Sequence, residues 1–137
     1  MLLADWRCEL MRHAIRFGEG PRIEPVIDKE VWRLTEDFRV EIDGALIVVP
    51  EGFMTDGASI PRFLWRLCGH PMLTKRFPIA VTHDFIYAEG LGYTRVEADE
   101  IYRDGLIVLG FKPRVASLEY YGIRLCGGSH WEGGSSV

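Results

Sequence analysis

From Trp32 to Ile42 apolar and polar residues alternate, an Asp43-Gly44 pair follows, and that pattern belongs to β-structure. Trp32, Leu34, Phe38, Val40 and Ile42 fall on one side. Arg33, Thr35, Asp37, Arg39 and Glu41 fall on the other, with Glu36 interrupting the apolar face at a bulge or turn. Asp43-Gly44 suits a two-residue hairpin turn, whose central positions both need positive φ. Leu46 to Val49 is then the partner strand, ended by Pro50. Glu51-Gly52 starts a second turn, from which Phe53 re-enters the sheet.

Past residue 55 the period changes. Thr55-Asp56-Gly57-Ala58-Ser59-Ile60-Pro61 is the junction, with Ser59 placed to cap a short helix that stops at Gly69. A helix is predicted over about 76–88, ended by Gly90. Thr94 with Glu97 forms a capping box for a second helix reaching Leu109. A third runs from Pro113 to near Cys126. The expected fold is α+β: a small N-terminal antiparallel β-hairpin or sheet packed against a C-terminal bundle of three to four helices. Residues 1–30 read as an N-terminal extension, in which Leu10, Met11, Ala14, Ile15 and Phe17 outline a short helical stripe. Residues 31–127 form the single α+β domain, and 128–137 a flexible Gly/Ser-rich tail.

At 137 residues, with 47% apolar and 26% charged, the chain is long enough for one self-sufficient core. A net charge of -4 argues against nucleic-acid binding through a general basic field, and Arg62, Arg66, Lys75 and Arg76 read as a solvated face. Cys8, Cys68 and Cys126 are scattered and odd in number, as expected of reduced thiols in a cytoplasmic protein. Cys68 and Cys126 read as core or helix-end residues. The N-terminus does not read as a signal peptide, and no stretch reaches the roughly 18 apolar residues of a transmembrane helix. No phosphate-binding glycine loop is present, so no nucleotide cofactor is expected.

The candidate chemistry centres on His83-Asp84. Tyr87 shares the face of His83 at i+4, and a short connection makes the next helix an antiparallel neighbour, which could bring Asp99 close. Asp56, in the junction, could approach the same place, and Ser59 could be a nucleophile near His83, although no GxSxG elbow surrounds it. Two chemistries fit. His83, Asp84 and Asp99 could ligate a divalent metal (zinc, manganese or calcium), with Asp56 as a further ligand or base. Alternatively His83 is a general base oriented by one aspartate while a second holds a calcium ion. The competing structural reading makes His83 and Asp84 a buried hydrogen-bonded pair, Asp56 a turn residue, Ser59 a cap and Asp99 a partner of its helix N-terminus.

The run Val49 to Pro61 resembles the signature of a phage- and prophage-associated family, domain of unknown function 1353. Ala80 to Tyr87, Arg95 to Tyr102 and Tyr120 to Arg124 continue the resemblance, which spans about 31–127. It implies a phage or prophage origin and marks Asp56, Ser59, His83, Asp84, Tyr87 and Asp99 as motif positions, with no established activity. The His83-Asp84-x-x-Tyr87 helix is also similar to that of phospholipase A2. That similarity implies His83 as water-activating base, Asp84 as calcium ligand and Asp99 as orienting carboxylate, although the paired cysteines and glycine-rich calcium loop of those enzymes are missing. The functions expected are a small metal-dependent hydrolase, a non-enzymatic virion, assembly or host-factor-binding protein, or a calcium-dependent esterase. The expected partner is an unidentified substrate or a phage or host protein, in the bacterial cytoplasm or a virion.

Overall fold

The computed structural model describes residues 11–29, 31–55 and 75–133. Asp56, Ser59, the helix expected up to Gly69, Arg62, Arg66, Cys8 and Cys68 lie outside the described residues. Among the described residues six strands precede three helices: β1 (Ile15–Phe17), β2 (Ile23–Pro25), β3 (Trp32–Leu34), β4 (Phe38–Ile42), β5 (Ala45–Val49), β6 (Met54–Thr55), α1 (Phe77–Glu89), α2 (Arg95–Val108) and α3 (Pro113–Cys126). A 3-10 turn, Gly127–His130, follows α3.

The strands form two antiparallel three-stranded sheets, ordered β1-β4-β5 and β2-β3-β6. The fold is therefore α+β, with two sheets in place of the expected one. The interruption at Glu36 is where the chain leaves one sheet for the other, so Leu34 and Phe38, on one apolar face in the sequence, sit in different sheets. Residues 15–17, which read as a helical stripe, are strand. Ile15 and Phe17 alternate about Arg16, and β1 completes its ladder with Ile15 opposite Ile42 and Phe17 opposite Val40. Three residues are too few for the spacing alone to separate the two periods. At the β4–β5 turn Asp43 and Gly44 have φ of 51° and 83°, as a type I′ hairpin requires.

Each helix starts where its sequence says. Proline occupies the first turn of α1 and of α3. The capping box of α2 is complete: Glu97 N donates to Thr94 Oγ1 at 3.2 Å, and Thr94 N to Glu97 Oε1 at 3.0 Å. Helix α1 buries Ile79, Ala80, Val81, Thr82, His83, Ile86 and Tyr87. It packs on α2 and touches β5 and β6, while α2 packs on α3 and β1. Inward residues of the first sheet (Phe38, Val40, Ile42, Ile47, Val49) join Ile79, Ile101, Leu106 and Ile123 in one core. Among the described residues no helix is long and apolar enough to cross a membrane.

The α1–α2 contact depends on Gly105. A Cβ there would lie 2.4 Å from the Cδ1 and Cγ1 atoms of Ile79, so any side chain forces the helices apart or Ile79 off its rotamer. Gly105→Ala is expected to cost about 1–3 kcal/mol. In combination with Ile79→Ala the loss should be smaller than the sum of the two single losses. Urea denaturation of the four proteins checks this; strict additivity would show that the clash is not the cause.

Candidate functional site

Most of α1 is buried, so the polar side chains on its buried sides need partners inside the protein. On α1 His83 finds one on α2: its Nε2 lies 2.9 Å from Asp99 Oδ1, and both side chains are 0% exposed. Tyr87, one turn along α1, donates to the same Oδ1 at 2.6 Å. Arg124, from α3, donates through Nη1 to Oδ2 at 2.9 Å. An ionised carboxylate can only accept, so the proton of the His83–Asp99 bond sits on Nε2, leaving Nδ1 as the ring's second nitrogen. Arg95 supports the arrangement from outside: Nε donates to the Tyr87 hydroxyl at 3.2 Å, and Nη2 to the carbonyls of Ile123 and Arg124 at 2.8 and 3.0 Å.

These contacts set the charge of the site. Burial alone pushes the Asp99 carboxyl up. The bond and charge of His83, with the bonds from Tyr87 and Arg124, outweigh burial and hold the group below its usual range. The Tyr87 phenol is pushed far above its ordinary range by burial first, then by the Asp99 charge and its bond to that carboxylate. The site thus holds a fixed carboxylate anion and a neutral phenol.

A second carboxylate lies behind the first. Glu119, on α3 and 1% exposed, accepts from Arg76 Nη2 at 3.0 Å and from Tyr102 OH at 2.9 Å. The Tyr102 ring also meets that of His83, centroids 5.1 Å apart, so the two polar clusters touch. Arg76, expected on a solvated face, is buried.

Asp84 faces elsewhere. One residue along an α-helix turns the side chain by about 100°, and Asp84 Oδ2 accepts from Thr55 Oγ1 of β6. Both line an open cleft of about 370 Å³ with Tyr87, apolar Phe53 and Met54, and Ser129, His130 and Glu132 from the stretch expected as a tail. That stretch is attached to α1: Trp131 packs edge-on against Tyr87, centroids 5.3 Å apart, and Glu132 N donates to Tyr87 O at 2.9 Å. Of the candidate residues, the structure brings together His83, Tyr87 and Asp99, and sets Asp84 beside them on the cleft. Among the described residues no group of three or more His, Cys, Asp or Glu side chains is arranged to hold a metal ion.

A family model described as "Protein of unknown function (DUF1353)" matches residues 32–123. The chain belongs to this family. No curated protein and no solved structure matches it. The DUF1353 match runs from β3 almost to the end of α3. It contains His83, Asp84, Tyr87, Asp99 and Glu119, stops one residue short of Arg124, and excludes β1, β2 and the 127–133 rim of the cleft.

Sequence reasoning missed Glu119, Arg76 and Arg95. A signal for Glu119 was present. Ala116, Glu119 and Ile123 share one buried face of α3, and an acidic residue on an apolar stripe has to be paired.

The pH dependence of stability follows from the two displaced groups. Asp99 is lowered, so its contribution is complete above its unfolded value of about 4 and is lost as pH falls through the folded value. Tyr87 is raised, so its contribution is present below about pH 10 and lost as pH rises further. Asp99→Asn should lower stability near neutrality by about 3 kcal/mol and flatten the acid limb. Tyr87→Phe should flatten the alkaline limb. Urea titrations across both ranges test this, and an acid limb as steep in Asp99→Asn as in the wild type would assign it to another carboxylate.

Proposed function

We propose that the protein is a hydrolase in which His83, held by Asp99, activates water. The observation carrying this reading is the 2.9 Å bond from His83 Nε2 to a carboxylate itself fixed by Tyr87 and Arg124. Such a carboxylate fixes the tautomer and orientation of the ring and stabilises the imidazolium formed when the base takes a proton. In the proposed reaction the His83 ring takes a proton from water as the water oxygen adds to a carbonyl carbon. The imidazolium then returns the proton to the departing alkoxide, giving acid and alcohol. Asp99 stays ionised throughout. Its two oxygens already accept three hydrogen bonds, which favours this orienting role over that of a metal ligand.

Asp84, on the cleft, is the residue that would hold a divalent cation, which in such a reaction polarises the carbonyl under attack. The apolar Phe53 and Met54 beside it favour an ester with a hydrocarbon portion.

One observation favours a second reading. His83 and Asp99 are both 0% exposed, as in a clamp that only binds helices together. The protein would then be a non-enzymatic component of a virion or assembly, or a binder of a host factor.

Hydrolysis of short-chain nitrophenyl esters and of phospholipid vesicles, with calcium and with chelator, separates the two. We expect turnover in the wild type and a loss of about 10²–10⁴-fold in His83→Gln at retained circular dichroism. Asp84→Asn should abolish any dependence on added cation. Absence of turnover above buffer on every ester, or equal rates in wild type and folded His83→Gln, establishes the clamp.

A further inference from the structure

The outer edge of β5 carries unused hydrogen-bonding capacity. In a two-residue type I′ hairpin the residues flanking the turn form a hydrogen-bonded pair, and such pairs recur at every second position. Ile42 opposite Ala45, Val40 opposite Ile47 and Phe38 opposite Val49 are therefore bonded pairs. Leu46 and Val48 then turn their N–H and C=O groups away from β4. On β4 the corresponding outward groups are used by the β1 side, as when Gly18 N donates to Arg39 O at 3.0 Å. On β5 none of the four has a partner among the described residues.

The edge also lacks the usual protection. Exposed edge strands are commonly blunted by charge, proline or a bulge. The Ala45–Val49 strand has none of these, and Leu46 and Val48 are 63% and 36% exposed. Beside it runs an open groove of about 340 Å³ whose far wall is Phe85 of α1 with Leu91 and Tyr93 of the α1–α2 connection. One end is acidic. Asp43, half exposed at the turn, accepts from Ala14 N and His13 Nδ1, each at 2.8 Å. The Tyr93 phenol is pushed up by burial first, to which the charges of Asp43 and Glu97 add.

We propose that this groove is a docking site for an extended segment of a partner protein, which adds to β5 as a fourth strand. Its backbone takes up the free groups of Leu46 and Val48, its alternate apolar side chains lie against Phe85 and Leu91, and a basic residue at one end meets Asp43. Such strand addition draws affinity from main-chain bonds and specificity from alternate side chains. The site is separate from the His83–Asp99 pair and does not depend on the proposed hydrolase activity.

The test uses the full chain, ¹⁵N-labelled, and the blocked heptapeptide Lys-Thr-Val-Thr-Ile-Thr-Lys as probe. Saturable amide shifts and slowed hydrogen exchange are expected at Leu46 and Val48. Leu46→Pro removes one outward N–H and leaves the β4 ladder intact, so it should abolish both responses. Leu91→Asn suits the positive φ of 54° at this position and removes the apolar wall. It should weaken binding about tenfold, and it decides the matter if Leu46→Pro fails to fold. No saturable response, or one that neither folded variant alters, overturns the proposal. So does a concentration-dependent dimer protecting the same amides, since the occupant is then a second copy of the chain.

Discussion

A carboxylate cut off from water has to find its donors inside the protein, and Asp99 takes them from two other helices. From α2 it accepts His83 and Tyr87 of α1 and Arg124 of α3. Glu119 repeats the arrangement from α3, accepting Tyr102 of α2 and Arg76, the residue just before α1. Each helix is thus bound to the others through groups that cannot separate without stranding a buried charge. Burying such charges gains little net stability compared with apolar side chains of the same shape. What it supplies is register: apolar faces can slide by a turn, whereas the Asp99 and Glu119 bonds are met in one alignment only.

That alignment is what both functional readings require. A clamp and a catalytic pair share the need for a fixed imidazole. They differ in economy. Holding three helices in one register calls for a paired buried polar group, but not for a histidine in particular. An imidazole fixed through one nitrogen by an anion, beside a carboxylate that opens onto a cleft, is a more specific combination. The full burial of His83 weighs on the other side, because a base has to meet water.

The local structure was legible in the sequence wherever a single segment decides it. Asp43-Gly44 specified its turn, Thr94 and Glu97 their cap, and the prolines the helix starts. The meeting of His83, Tyr87 and Asp99 was also legible, because a short link between antiparallel helices leaves few registers. What escaped depends on contacts distant in the chain. Ile15–Phe17 is strand because β4 offers it an edge, and nothing within three residues announces that. Glu36 marks a break, but only the packed structure shows that the break separates two sheets. Arg76 looked like a surface charge because its partner, Glu119, comes 43 residues later.

One turn of α1 connects the surfaces under discussion. Successive residues on an α-helix point about 100° apart, and His83, Asp84 and Phe85 use this to serve three surroundings. His83 turns to the buried carboxylate, Asp84 to the cleft and Thr55, and Phe85 to the groove beside β5. Rotation of this turn would move all three at once, and the Asp99 bonds resist that rotation most directly.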